Sequence, residues 1–417
     1  MEKYVIEGGY QLKGEIKVCG AKNQALKIIA TSILLEGKCI IKNIPEIEDI
    51  NRLLEILEDL GAKIERKNHE IIINPLSINK THPSDDLVRK LRSSVMLAGP
   101  LLAHYGKVTL AHPGGCVIGQ RPIDMFLHGF KAMGAEIEES NQEYTLKAKK
   151  LHGAKIVMPW IMVTATESLM MTACLAEGTT TIINAAMEPE IPALAEFLNS
   201  CGAKISGAGT PIITIEGVKK LSGGECTIIP DRIEAGTFTI MGLITKSEIT
   251  ITNCQPKHLE TVLETLCRAG ANIEVGNNWI KTKPSNLKAV ELRTHEYPGF
   301  PTDLQSPFTI LMTQANGLSL IHEAIYEGRL FYTDKLNTMG AKIIMCDPHR
   351  VIVSGPTPLR GKKLESPDLR AGMGLVIAGL VAEGKTIIDN IYQIERGYEN
   401  PVTRLQSLGA KIEKIKE

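Results

Sequence analysis

The pattern Gly-Ala-x-Ile recurs six times, beginning at Gly61, Gly134, Gly202, Gly270, Gly340 and Gly409, at intervals of 68 to 73 residues. Near-constant spacing over six copies requires a chain of repeated supersecondary units, and a period this long gives each unit several elements. Each glycine follows a helix-like stretch, such as residues 50–60 or 259–269. It suits the position just past a helix, where the backbone turns through positive φ. A short strand follows, as in Lys63-Ile-Glu-Arg66. About 25 residues earlier comes another turn and strand, seen in Glu36-Gly-Lys-Cys-Ile-Ile41, Glu177-Gly-Thr-Thr-Thr-Ile-Ile183 and Glu383-Gly-Lys-Thr-Ile-Ile388. Ahead of that lies a second, more apolar helix, expected at 23–35, 88–103, 166–176, 233–243, 304–314 and 369–382. Each unit therefore reads helix, strand, helix, strand, strand. The expected fold class is α/β with mixed sheets, in two similar domains of three units each. The boundary falls near Pro230-Asp231, and a tightly joined two-domain chain commonly holds its ligand in the interdomain cleft.

Composition enters as exclusion. Lys and Arg number 47 and Asp and Glu 47, so the chain lacks the positive excess of a general nucleic-acid or anionic-membrane binder. The longest apolar runs, 95–103 and 371–382, are too short to span a bilayer, and the opening residues carry no secretory apolar region. Nine widely spaced cysteines without C-x-x-C argue against a disulfide framework and for the cytoplasm. No H-E-x-x-H, Walker A loop or G-x-G-x-x-G marks a metal or nucleotide site.

Charges gather where the apolar helices begin. Lys22, Arg232 and Arg370 stand in first turns, where a cation opposes the helix dipole. Such a choice is understandable where cation and helix terminus together hold an anion. Asp231, Asp303 and Asp368 lie near the same starts, and their plain reading is N-caps. One segment breaks the rhythm: His112-Pro-Gly-Gly-Cys-Val-Ile-Gly-Gln-Arg-Pro122. Its glycines and prolines make a lid-like loop, and Cys116 beside Arg121 suits a reactive thiol or proton donor. Cys174, Cys201 and Cys267 read instead as small buried hydrophobes in helices.

These residues resemble the enolpyruvyl transferases. The likeness runs over essentially the whole chain and rests on Gly20-Ala-Lys-Asn23, Lys90-Leu-Arg-Ser-Ser94, Pro113-Gly-Gly-Cys-Val-Ile-Gly-Gln-Arg-Pro-Ile-Asp124, Pro230-Asp-Arg-Ile-Glu234, Phe300-Pro-Thr-Asp303, Asp368-Leu-Arg370 and Glu395-Arg-Gly-Tyr-Glu399. It implies a pair of inside-out α/β domains, 21–229 with the loop 112–122, and 1–20 plus 230–417, with the active site in the cleft. The Gly-Ala-Lys-Asn and Gly-Gly-Cys motifs point to the branch that passes the enolpyruvyl group of phosphoenolpyruvate to the 3-hydroxyl of UDP-N-acetylglucosamine. That is the committing step of peptidoglycan synthesis and the step that fosfomycin blocks by alkylating the cysteine matched by Cys116.

The resemblance assigns Lys22, Arg121, Arg370 and Arg396 to the anionic groups of phosphoenolpyruvate, since a double anion needs several cations. It gives Asn23 and Arg92 to substrate orientation and Asp303 to the general base. Cys116 becomes the proton donor or covalent partner. Pro122, Ile123, Asp124 and Met125 line the uridine site with Arg121; Val163, Ile325 and Arg329 face the substrates; Asp368 joins the catalytic group. No metal or organic cofactor is implied, and no nucleic acid or membrane partner. The chain departs from the family at Trp160 and at Met162-Val-Thr-Ala-Thr166, where Ser-Val-Gly-Ala-Thr is usual. Met162 offers no hydroxyl and Thr164 adds bulk where glycine permits close approach, so the grip on the diphosphate is expected to differ. The alternatives are a paralogue acting on another nucleotide and a non-catalytic sugar-nucleotide sensor.

Overall fold

In the computed structural model of the chain, which describes residues 2–112 and 123–416, the six repeat glycines all have left-handed backbones, with φ between 90° and 107°. The first repeat shows how they act. In the helix Glu48–Leu60, Ile50, Leu53, Leu54, Leu57 and Leu60 form one buried face, and Glu48 and Asp49 sit in the first turn, where acids suit the dipole. Gly61 ends the helix. Its N–H reaches Glu58 O and the following Ala62 N–H reaches Leu57 O, closing the last turn. The hairpin Lys63–Lys67 and Glu70–Asn74 then pairs with Cys39–Lys42.

The first helix of each repeat is buried, as its apolar circumference demands. All thirteen residues of Arg232–Ile244 are buried, and the hydroxyls of Thr237, Thr239 and Thr245 bond carbonyls one turn back, at 2.7 to 2.8 Å. Gly236 lets Leu304 approach so closely that a Cβ would lie 2.4 Å from its Cδ1. The second repeat differs from expectation. The single helix expected over 88–103 is Asp85–Lys90, a 3₁₀ segment Arg92–Leu97 and a helix Ala98–Tyr105. Leu91 is extended (φ −131°, ψ 111°) and breaks the run, which places Pro100 in a first turn, where no N–H is needed.

Two compact units result. One comprises residues 2–19 and 230–416, the other 20–112 and 123–229, among those described. Each contains three sheets outside its inner helices. In the first unit Gln305–Met312 lies against both Arg232–Ile244 and Leu369–Val381; in the second, Ala98–Tyr105 lies against Val163–Ala173. Five of the six sheets follow one scheme: the strand ahead of an inner helix pairs in parallel with the strand after one, as Lys155–Val157 with Thr179–Ile183 and Lys363–Glu365 with Lys385–Asp389. The sheet of Lys107–Ala111, Glu136–Glu139 and Glu143–Lys147 instead has three antiparallel strands. Where the chain passes between units, the leading strands are exchanged. Lys13–Lys17 pairs with Glu248–Thr252, and Gly224–Thr227 with Cys39–Lys42. The N-terminal strand Glu2–Glu7 completes the last repeat between Lys385–Asp389 and Lys411–Lys416.

An asparagine fixes this scheme in four repeats. Asn43, Asn184, Asn253 and Asn390 each follow the strand after the inner helix, with φ between 53° and 63°. Their side-chain amides donate to Ile228 O, Met158 O, Val18 O and Ser366 O, just beyond the leading strands, at 2.8 to 3.1 Å.

Candidate active site

The three aspartates at inner-helix starts divide into caps and something else. Asp231 accepts from the N–H groups of Ile233 and Glu234 at 2.8 and 3.0 Å, and Asp368 from those of Arg370 and Ala371 at 2.8 and 3.0 Å. Both are N-caps, the plain reading. Asp303 lies in the short 3₁₀ segment Thr302–Leu304 ahead of Gln305–Met312. Its Oδ1 accepts from Arg329 Nη2 at 2.9 Å, and its Oδ2 from Arg370 Nε and Nη2 at 3.0 and 2.9 Å. The Asp303 side chain keeps 26% exposure, while those of Arg329 and Arg370 keep 5% and 4%.

Two guanidinium groups flank the Asp303 carboxylate, and Glu323 and Asp368 are further acidic neighbours of Arg329. Burial opposes charge on Arg370, but Asp303 and neighbouring acidic groups outweigh it and hold the guanidinium firmly charged. The same holds for Arg329, where Asp303, Glu323 and Asp368 outweigh burial. Arg370 also lies over the Tyr398 ring, 5.5 Å from its centroid, and Tyr398 Oη meets Thr237 Oγ1 at 3.0 Å. A fixed carboxylate held by two guanidinium groups and open on one side can accept a proton from a substrate hydroxyl.

The other expected residues fall as follows. Lys22 opens the helix Lys22–Thr31 and lies 3.1 Å from Asp49 Oδ2; Asn23 is next on that helix. Arg232 is buried rather than solvated, over the Tyr297 ring at 5.6 Å. Glu234 of the same motif is buried and accepts from Cys19 N and Arg404, tying the N-terminal segment to the inner helix. Arg92 begins its 3₁₀ segment, half-buried near Tyr144. Ile123 precedes the helix Asp124–Ala132, whose Asp124 is exposed and Met125 buried. Ile325 N–H donates to Glu323, and Arg396 ends the short helix Tyr392–Glu395, donating to Gln393 Oε1 at 3.3 Å. Cys116, Arg121 and Pro122 lie outside the described residues.

In the departing segment, Trp160 is 54% exposed. Met162 is the N-cap of Val163–Ala173 without a side-chain hydrogen bond, which agrees with its lack of a hydroxyl; Val163 and Thr164 are half-buried. The cysteine reading needs one correction. Cys174 and Cys201 are buried, but Cys267 is exposed, because the buried face of Glu260–Arg268 runs through Val262, Leu263, Thr265 and Leu266. Burial pushes the Cys174 thiol up to about 12, so it is inert.

Sequence reasoning missed a second ionic feature. Lys27 Nζ lies 3.1 Å from Glu167 Oε2, with side chains 6% and 0% exposed, yet neither carboxylate oxygen has a well-directed hydrogen bond. Burial pushes the Glu167 carboxyl up to about 7, although Lys27 pulls the other way. At the surface, His82, Asp85 and Glu143 bring possible ligand atoms within 4.8 Å of one another, but Arg89 lies 3.6 Å from Asp85 and already offsets its charge. Among the described residues no helix is long and apolar enough to cross a membrane.

The model for EPSP synthase (3-phosphoshikimate 1-carboxyvinyltransferase) matches residues 6–405. The chain belongs to the enolpyruvyl transferase family. Its full-length relatives include UDP-N-acetylglucosamine 1-carboxyvinyltransferase 1 of Carboxydothermus hydrogenoformans, 46% identical over 100% of this chain and 99% of that protein. UDP-N-acetylglucosamine 1-carboxyvinyltransferase of Desulfosudis oleivorans is 44% identical over 100% of both chains. Among solved structures, the enolpyruvyl transferase NikO from Streptomyces tendae superposes with a TM-score of 0.91 at 24% identity, over 100% of this chain and 99% of that one. EPSP synthase from Acinetobacter baumannii gives 0.77 at 20% identity over 100% of both. These likenesses show the fold: two inside-out α/β domains of three repeats each, the repeat count expected from the spacing and the inside-out form implied by the resemblance.

Proposed function

We propose that this enolpyruvyl transferase moves the enolpyruvyl group of phosphoenolpyruvate to the 3-hydroxyl of UDP-N-acetylglucosamine, with release of phosphate, as the committing step of peptidoglycan synthesis in the cytoplasm. The observation that carries the reading is the fixed Asp303 carboxylate between Arg329 and Arg370, on a chain that aligns end to end with relatives named for that activity. Those relatives give no support to another acceptor or to a sensor.

Asp303 takes the proton of the sugar 3-hydroxyl as its oxygen bonds to C2 of phosphoenolpyruvate, and the Cys116 thiol supplies a proton to C3. The tetrahedral adduct then loses phosphate from C2 and a proton from C3, which restores the double bond. Lys22, Arg121, Arg370 and Arg396 hold the phosphate and carboxylate. Arg370 does so alongside its pairing with Asp303, with Lys22, Arg121 and Arg396 supplying further positive charge. Asn23, Arg92 and Val163 orient the acceptor, and residues 121–125 and Ile325 take its uridine and sugar portions. Asp368 adds negative charge facing Arg329 and caps the helix that carries Arg370.

The test is phosphate release by the purified protein. Release should require phosphoenolpyruvate and UDP-N-acetylglucosamine together, with no added metal, and fosfomycin should stop it through one adduct on Cys116. Release without the sugar nucleotide, or none with it, would overturn the reading. Trp160, Met162 and Thr164 should appear as a raised KM for the sugar nucleotide with turnover intact.

A further inference from the structure

Glu323 is fully buried, and no step of the reaction above uses it. It occupies the place at the end of the strand Gly317–His322 that asparagine holds in four other repeats, after Cys39–Lys42, Thr179–Ile183, Glu248–Thr252 and Lys385–Asp389. Those asparagines clamp backbone to backbone. Glu323 instead reaches in two directions. Its Oε1 accepts from the N–H groups of Ile325 and Tyr326 at 2.9 and 3.2 Å, and its Oε2 accepts from Thr302 Oγ1 at 2.7 Å. Thr302 Oγ1 in turn accepts from Arg329 Nη1 at 2.7 Å, and the other arm of that guanidinium, Nη2, holds Asp303. The glutamate's own backbone is fixed on both sides. Its N–H donates to His349 O, and its carbonyl meets His349 Nδ1 at 2.6 Å.

A buried carboxylate is tolerable only when its oxygens are satisfied, and here hydroxyl and amide donors do so. The consequence is directional. Thr302 has one hydroxyl proton and gives it to Glu323, so its lone pairs face Arg329 and fix the guanidinium plane. That plane sets where Asp303 Oδ1 points. We infer that Glu323 and Thr302 are positioning residues for the Asp303 carboxylate, and that Glu323 also sets the loop that presents Ile325. This rests on reading Asp303 as the base, and the experiment separates the two.

Thr302→Val removes the hydroxyl at nearly constant volume, while Thr302→Ser keeps it. Thr302→Val should lower kcat by about 10-fold to 100-fold, the scale of a misplaced reacting group, with KM for both substrates unchanged. Thr302→Ser should stay within about twofold of the parent, far from that loss. Glu323→Gln turns one acceptor into a donor; it should lower kcat comparably and also raise KM for UDP-N-acetylglucosamine through Ile325. The deciding comparison adds Thr302→Val to Asp303→Asn. Because Thr302 acts through Asp303, the double variant should turn over no more slowly than Asp303→Asn alone. An equal loss in both backgrounds, or a Thr302→Ser as damaged as Thr302→Val, would mark a merely structural role and overturn the inference. So would normal turnover of Thr302→Val beside a crippled Asp303→Asn. Normal turnover of Asp303→Asn itself would instead sink the base reading. If Glu323→Gln does not yield folded protein, the threonine pair and the double variant still decide.

Discussion

Each unit buries an ionic cluster among its inner helices, and the two are built to opposite ends. Around Asp303, two arginines meet one carboxylate that is 26% exposed, and every carboxylate oxygen has a directed partner. Around Glu167, one lysine meets one carboxylate that is 0% exposed, with neither oxygen well aligned to a donor. The first arrangement keeps its carboxylate charged, oriented and reachable, as proton transfer requires. The second isolates a charge that solvent cannot reach, and burial drives it toward the neutral form. A buried ion pair by itself therefore says little about chemistry; accessibility and the number of partners distinguish a site from a structural contact.

The sharpest way to break this comparison is Asp303→Asn, which keeps size but removes basicity. Turnover should fall by about 10² to 10⁴-fold, and unfolding should become easier by up to about 3 kcal/mol because two buried guanidinium groups lose their charged partner. Next in size, Lys27→Met leaves Glu167 without its cation. Unfolding should become easier by about 3 kcal/mol at mildly alkaline pH, and by less in acid, where the carboxyl is neutral. Activity per folded molecule should change little. Large loss of turnover at constant stability in Lys27→Met would move that pair into the active machinery.

The pH dependence sharpens the contrast further. The folded Glu167 value of about 7 lies above its ordinary 4.5, so the folded protein keeps that proton longer than the unfolded chain. The associated stability is complete below pH 4.5 and is lost as pH rises through about 7. Glu167→Gln has no proton to lose. Its unfolding free energy should match the parent's in acid and exceed it by about 1 to 3 kcal/mol above neutrality. Parallel curves across that range would mean Glu167 stays charged in its core.

Much of this was legible in the sequence because the repeat writes it six times. The glycines at Gly61 and its equivalents mark helix ends through their conformation, and apolar periodicity marks which helices are inner. What was not legible depends on contacts between distant residues. Lys27 and Glu167 are 140 positions apart, and neither periodicity nor composition pairs them. Thr302 and Glu323 look like ordinary polar residues, and their link to Arg329 appears only when a helix start and a strand end are brought together. The asparagines at 43, 184, 253 and 390 do recur in sequence, and aligning the six repeats position by position would have exposed both them and the substitution at Glu323. Cys267 shows the opposite failure: an apolar neighbourhood suggested burial, while its angle around the helix decides exposure.

The smallest expected effect concerns Asp368, which shares its placement with Asp303 but caps its helix. Asp368→Ala leaves two N–H groups without their acceptor and should cost about 1 kcal/mol. In a unit of this size that is a fall in Tm of about 2 to 4 °C. Asp368→Asn keeps a capping oxygen and should restore Tm, because the cap needs an acceptor and not a charge. Turnover should not follow completely. The Asp368 charge also faces Arg329, and its removal loosens the electrostatic balance that holds Arg329 and Arg370 around Asp303. A residual loss of about 10-fold in Asp368→Asn, well short of that in Asp303→Asn, is the expected result. Equal losses in the two asparagine variants would erase the distinction between cap and base. Full recovery of turnover with Tm would reduce Asp368 to its cap alone.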